Sequence, residues 1–109
     1  MGDDTNDPPR RPEIAAEVRA LAGAVRERYA GRSIELRIPP YIAVQLRTLD
    51  GSGPRHTRGT PPNVVEIDPL TFLALAHGTL TWDDAFTAGR ISVSGAHARD
   101  VAQMLKPDA

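Results

Sequence analysis

The sequence contains no cysteine, and other features that would point to a particular class of protein are missing as well. Without thiols, the chain forms neither a disulfide framework nor a thiolate nucleophile. No apolar run approaches the ~20 residues that a membrane-spanning helix needs. A basic excess is also lacking, because the 109 residues carry a formal net charge of −1. Nucleic-acid binding depends heavily on basic contacts to phosphates, so we expect no nucleic-acid partner.

The length of the chain suggests one domain, which we place at residues 12–109. Residues 1–11 are polar and rich in aspartate and proline, and they predict a disordered tail rather than a secretory signal. The absence of cysteine fits a reducing compartment. We therefore expect a cytoplasmic protein without a transmembrane segment.

An amphipathic helix is predicted near the N-terminus. Apolar residues recur at helical spacing from Ile14 to Tyr29, with charged residues between them. Pro12 suits the first helical turn, and Gly31 is the predicted end of the helix.

Two half-buried strands are predicted next. Apolar and polar residues alternate over Ile34–Ile38 and again over Ile42–Leu46, and Pro39-Pro40 separates the two runs. Residues 55–62 are polar and proline-bracketed, which favours a loop over a short edge strand at residues 56–58.

A strand, two helices and another strand are predicted over residues 63–95. Short β-branched runs mark the two strands. Asp68-Pro69 begins the first helix and Gly78 ends it; Thr81 begins the second helix and Gly89 ends it. Apolar spacing then predicts a final helix over residues 96–105. The predicted inward face of the first of these helices consists of Leu70, Leu73 and Ala74.

These residues also carry a family resemblance. Residues 78–85 have the pattern G-x-L-x-x-x-x-A, and Gly89-Arg90-Ile91 has the pattern glycine, any residue, hydrophobic residue. Together with the blocks Ile38–Tyr41 and Arg55–Asn63, this order resembles the sterol carrier protein superfamily, and in particular its small bacterial branch. The likeness covers roughly residues 31–105.

The resemblance implies an α/β (α+β) fold in which helices cover one side of a mostly antiparallel sheet of about four to five strands. It also implies an apolar site between sheet and helices that binds a sterol, a fatty acid or a fatty-acyl group without chemical conversion. No cofactor is implied.

Twelve apolar residues are candidates for lining such a lipid site, with a plain hydrophobic core as the alternative. They are Leu36, Val44, Leu46, Val65, Ile67, Leu73, Trp82, Phe86, Val93, Val101, Met104 and Leu105. A dry cavity of ~300 Å³ would cost ~7 kcal/mol, out of the ~5–15 kcal/mol that stabilises a domain. We therefore expect a shallow or collapsed pocket, or one that movement of the last helix opens. The alternative for that helix is ordinary docking.

Arg55, His56 and Arg58 form the densest polar cluster, and they are the predicted contacts for a polar head group such as a carboxylate or phosphate. The alternative is a solvated loop whose arginines pair with nearby acids.

No catalytic or metal site is predicted, because the histidines lack a metal-binding spacing and no G-x-S-x-G motif occurs. Lipid binding without catalysis is the favoured function. Two alternatives stay open. One is an accessory subunit that has kept the fold and uses its apolar surface for a protein partner or homodimer. The other is an enzyme component that acts on a small acid or thioester through His56.

Overall fold

The structure is a computed structural model and describes residues 11–53 and 59–106. In chain order its elements are α1 (Arg11–Tyr29), β1 (Ala30–Ile38), β2 (Ile42–Leu46), β3 (Asn63–Ile67), α2 (Pro69–His77), α3 (Trp82–Thr87), β4 (Ile91–Ser94) and α4 (Asp100–Met104). Residues 1–10, which belong to the predicted tail, lie outside the described residues. So do residues 56–58, for which a short edge strand was the alternative to a loop.

The described strands form one four-stranded sheet in the order β2-β1-β3-β4. The β1–β2 and β3–β4 pairs are antiparallel, whereas β1 and β3 are parallel. Leu36 at the centre of β1 is aligned with Val44 on one side and with Val65 on the other. The predicted α+β class is confirmed, and the parallel central pair makes the sheet mixed.

The sheet has one apolar and one polar face, as the period-two alternation requires. Side chains on the apolar face are buried together with residues of the helices, including Val18 of α1 and Val101 of α4. On the opposite face, Glu35 accepts hydrogen bonds from Arg37 and Gln45. The helices therefore pack on the apolar face, where the core lies.

Gly31 does not end α1, which corrects the sequence-based prediction. The helix ends at Tyr29 and β1 begins at Ala30, so Gly31 already lies in the strand. A Cβ atom at Gly31 would lie 2.5 Å from the backbone nitrogen of Arg47, next to the hydrogen bond from that nitrogen to the Tyr29 carbonyl. Glycine is therefore required at position 31, because any side chain would prevent this close approach of the two backbone segments.

The inward face of α2 also differs from the prediction of Leu70, Leu73 and Ala74. The structure buries Thr71, Phe72 and Leu75, and it leaves Leu70 52% exposed. Almost every side of this nine-residue helix is apolar, so periodicity could not select one face. Its packing against α1 and the end of the chain makes the selection.

The predicted boundaries of α2 are confirmed. Asp68 Oδ1 accepts the Thr71 N–H at 2.9 Å, and its Oδ2 accepts the Thr71 hydroxyl at 2.6 Å. Because Asp68 accepts its hydrogen bond, that hydroxyl can be fully buried. The helix ends at Gly78, whose φ of 77° lies in the left-handed region that glycine enters without penalty.

The last helix is shorter than predicted. Residues 96–105 were expected to be helical, but α4 spans only Asp100–Met104. The preceding residues form turns, with hydrogen bonds from Ala98 N–H to the Gly95 carbonyl and from Asp100 N–H to the His97 carbonyl.

Candidate functional site

A groove of about 360 Å³ lies between the α2–α3 connection and the end of the chain, and we call it the major groove. Its lining residues are Leu75, Gly78, Leu80, Thr81, Trp82, Asp83, Ala102, Gln103, Leu105 and Lys106. Binding sites for small molecules usually have volumes of ~300–1,000 Å³, so this groove is at the low end of that range. It fits the expectation of a shallow site.

Local signals in the sequence build one wall of this groove. The left-handed turn at Gly78 ends α2, and Thr81 caps α3 by accepting the Asp84 N–H at 3.1 Å. These two boundaries place Trp82 at the first position of α3, from which its side chain lines the groove. The opposite wall comes from α4 and the two residues that follow it.

The indole N–H of Trp82 is a hydrogen-bond donor without a partner among the described residues. Its nitrogen atom, Nε1, is buried and has no acceptor within that part of the chain. A buried donor without a partner costs ~1–3 kcal/mol, because water no longer satisfies it. An oxygen atom of a ligand that displaces the side chains around this N–H would remove that cost.

A smaller groove of about 170 Å³, which we call the minor groove, lies between α1, α2 and the end of the chain. Its lining residues are Leu21, Ala24, Val25, Arg28, Phe72, Ala76, Met104, Leu105 and Lys106. Leu105 and Lys106 therefore border both grooves. The Leu105 side chain is only 6% exposed.

The twelve predicted lipid contacts are distributed unevenly. Trp82 and Leu105 line the major groove, and Met104 and Leu105 line the minor groove. Six further residues are buried in the core: Leu36, Val44, Leu46, Val65, Ile67 and Val101. The remaining three are partly buried against that core: Leu73, Phe86 and Val93. Their contact with a lipid stays a prediction.

Sequence reasoning missed eight residues of the major groove. They are Leu75, Gly78, Leu80, Thr81, Asp83, Ala102, Gln103 and Lys106. Some of them lie in the G-x-L-x-x-x-x-A run, so that pattern was the available signal. The residues of α4 had no such signal, because their position next to α3 depends on tertiary packing.

The start of α4 and the turn before it form hydrogen bonds to two distant segments. Asp100 Oδ2 accepts the Leu49 N–H at 2.9 Å, and the His97 N–H donates to Asn63 Oδ1 at 2.8 Å. Asn63 is itself buried, and its Nδ2 donates to the Ser33 carbonyl at 2.8 Å. These bonds hold the start of α4 against the sheet.

The same region places a serine, a histidine and an aspartate next to one another. Ser52 Oγ lies 3.3 Å from His97 Nε2, and His97 Nδ1 lies 3.7 Å from Asp100 Oδ2. This is the order of groups in a serine hydrolase triad. The sequence offered no signal for it, because Ser52 is 45 residues from His97 in the chain.

Asp50 lies beside Ser52. It accepts the Ser52 N–H at 2.9 Å, and hydrogen bonds from the Ser52 side chain and backbone lower the Asp50 pKa from 3.8 to about 2. The 3.7 Å between His97 Nδ1 and Asp100 Oδ2 is longer than a hydrogen bond, so the three groups are not linked as in a triad. Ser52 also lies outside both grooves. The contact of Ser52 with His97 links residues 48–52 to the turn before α4.

The other candidate polar residues are structural or lie beyond the described residues. His77 at the end of α2 pairs with Glu17 of α1 at 2.6 Å, on the exposed surface. Arg55, His56 and Arg58 lie outside the described residues, so their head-group role stays a prediction. Within residues 11–53 and 59–106, no cluster of three metal-binding side chains occurs. In the same part of the chain, no helix is both long and apolar enough to cross a membrane.

Comparison with protein families identifies this α+β chain. Residues 10–107 match the family model described as "Bacterial SCP ortholog". The match covers most of the chain, which therefore belongs to this bacterial sterol carrier protein family. The predicted resemblance is confirmed.

Two solved sterol carrier structures show weaker similarity. Sterol Carrier Protein 2 Like 2 from Aedes aegypti is 22% identical, covers 86% of this chain and 92% of its own, and gives a TM-score of 0.44. Sterol Carrier Protein 2 from Yarrowia lipolytica, in its apo form, is 15% identical, covers 92% and 79%, and gives 0.42. No curated protein matches the chain significantly in sequence. The family assignment rests on the family model alone.

Proposed function

We propose that this protein binds and carries a lipid-like ligand, such as a sterol, a fatty acid or a fatty-acyl group, in the major groove and does not convert it. Membership of a sterol carrier protein family supports this proposal. The observation that carries it is the major groove itself, which is lined by Leu75, Leu80, Leu105 and Trp82, the last with a buried N–H that has no acceptor among the described residues. An apolar molecule with one oxygen atom matches both properties of that site.

The affinity of such a ligand would come mainly from its apolar surface. Removing apolar surface from water contributes roughly 25 cal/mol per Å². The groove is partly open to solvent, so we expect part of the ligand to remain in water. The proposed location of the protein is the cytoplasm, where a carrier would exchange lipids with membranes or enzymes.

The polar end of the ligand would lie at the Trp82 N–H, which would donate a hydrogen bond to it. Lys106 is exposed and lines this groove, so its ammonium group can approach an anionic head group. The cluster Arg55, His56 and Arg58 is the second proposed source of positive charge. Charge contacts at an exposed rim contribute little affinity, so they would orient the ligand rather than hold it.

Intrinsic fluorescence provides a direct test, because Trp82 is the only tryptophan and lines the groove. We expect saturable changes in its emission when oleate or cholesterol is added below its micelle or solubility limit. Displacement of a fluorescent fatty acid does not depend on Trp82 emission. Measured on the natural sequence and on Trp82→Phe, it checks that the emission change reports binding.

A second measurement uses the protein as its host produces it. Native mass spectrometry is expected to show an additional mass that extraction with organic solvent removes and identifies as a lipid. Bare protein, together with unchanged Trp82 emission and no displacement of the fluorescent fatty acid, would contradict the proposal and favour the accessory-subunit alternative.

A further inference from the structure

The major and minor grooves share two lining residues, Leu105 and the exposed Lys106. Leu105 borders both grooves and is almost completely buried. On one side of it lie Leu75 and Trp82, and on the other side lie Phe72 and Met104. Both sets of neighbours are mostly apolar, so the two grooves present the same kind of surface to a ligand.

The short helix that precedes Leu105 is fixed in place by bonds at its start. Asp100 accepts the Leu49 N–H, and His97 in the preceding turns is bonded to Asn63. Val101 and Met104 of α4 are buried in the core. The backbone of α4 is therefore anchored, and Leu105 is the buried one of the two residues that border both grooves.

We propose that Leu105 acts as a partition that sets the longest apolar tail the protein accepts, and that the ligand is a flexible single-chain acyl lipid. This inference rests on the proposed lipid-binding function. The minor groove alone, at about 170 Å³, is below the ~300 Å³ of a usual ligand site, so it serves as an extension of the major groove. A tail that fills the major groove stops at Leu105.

The path around Leu105 also selects the chemical class of the ligand. The minor groove lies on the α1 side of the chain end, and the major groove lies on its α3 side. A ligand in both grooves must bend around residue 105. An acyl chain bends by rotation about its single bonds, whereas fused sterol rings cannot. Opening the partition should therefore strengthen binding of long acyl chains and give a sterol no comparable gain.

Displacement of a fluorescent fatty acid by saturated fatty acids with eight to eighteen carbons tests the partition. For the natural sequence, we expect affinity to rise with tail length and then level off. For Leu105→Ala, the rise should continue to longer tails, by up to about fourfold for each additional buried methylene. For Leu105→Phe, the bulkier partition should make the plateau begin at a shorter tail. Cholesterol should show no comparable gain with Leu105→Ala, because its fused rings cannot follow the path into the minor groove.

Leu70→Ala is the matched control, because Leu70 is half exposed on α2 and lies outside both grooves. It should leave the length profile unchanged. Thermal melting identifies folded variants, and Leu105→Phe and Leu105→Met test the partition if Leu105→Ala does not fold. The Met variant retains bulk and should keep the natural plateau.

The outcomes separate this inference from the proposed function. If the natural protein binds fatty acids but Leu105→Ala and Leu105→Phe keep its length profile, the partition is wrong and lipid binding stands. An equal gain for cholesterol in Leu105→Ala would overturn the acyl-chain assignment. If the natural protein binds no lipid at all, the proposed function fails, and the partition fails with it.

Discussion

Side chains are more completely buried on the sheet side of the molecule than on its groove side. Against the sheet, Leu36, Val65 and Val18 are completely buried and pack in one continuous core. On the groove side, Trp82 is partly exposed and its N–H lacks an acceptor among the described residues. Natural proteins tolerate such local defects mainly at functional sites. The difference suggests that stability is concentrated on one side and binding on the other.

The largest expected effect compares Leu36 with Trp82. Leu36 is completely buried and lines neither groove, so Leu36→Ala should lower the free energy of unfolding by about 2–5 kcal/mol. Trp82→Ala should cost less, because its ring is partly in water and its removal also removes an unsatisfied donor. Urea denaturation followed by circular dichroism measures both values. Equal losses would mean that Trp82 is an ordinary core residue and would remove the contrast between the two sides.

Two glycines test how tightly the sheet side is packed. Gly31→Ala would place a methyl group 2.5 Å from the Arg47 backbone nitrogen, and such overpacking should cost about 1–3 kcal/mol. The control is Gly23→Ala in α1, where nothing lies within 4 Å of the new methyl group. Alanine is the better helix former, so this control should gain about 0.5–1 kcal/mol. Melting temperatures that move in the same direction would contradict this account of Gly31.

The unpaired N–H of the groove side has a separate test in Trp82→Phe. This change keeps an aromatic ring but removes the donor, so stability should change little. Binding of a fatty acid should weaken about ten- to hundredfold, since a hydrogen bond to a charged group contributes ~1.5–3 kcal/mol. Binding of the corresponding fatty-acid methyl ester should weaken less. If both ligands lose the same affinity, the ring and not the N–H forms the contact.

The smallest expected effect is the acid sensitivity of the α2 cap. Burial would raise the pKa of Asp68, but hydrogen bonds from the Thr71 hydroxyl and backbone, together with the charge of Arg90, hold that pKa below its ordinary value of 3.8. A carboxyl group with a lowered folded pKa stabilises the fold above its unfolded pKa. That contribution is lost as pH falls through the folded value.

The measurement for Asp68 is the melting temperature as a function of pH. Between neutral pH and 3.8, the natural protein should show little change from this group, and stability should decline below 3.8. Asp68→Asn keeps a capping oxygen without the charge, so its decline should be shallower. Asp50, whose pKa is lowered to about 2, contributes to the remaining decline in both proteins. Identical profiles would show that Asp68 has no such role.

The site was only partly predictable from the sequence. Trp82 and Leu105 were among the twelve predicted lipid contacts, and both line the major groove, although their contact with a lipid stays a prediction. The sequence could not show that Leu105 borders two grooves, because this depends on where α4 packs between α1 and α3. It also could not separate core residues such as Leu36 from groove residues, because both are apolar and occupy regular positions.

The sequence by itself determined the elements that have local boundary signals. Asp68 and Thr81 bond to backbone groups three residues away, and Gly78 adopts its left-handed turn within one residue, so these ends need no distant partner. Tertiary structure decided the parallel pairing of β1 with β3, the inward face of α2 and the position of Leu105. Each of these depends on contacts between distant segments, which form only when apolar surfaces are buried together.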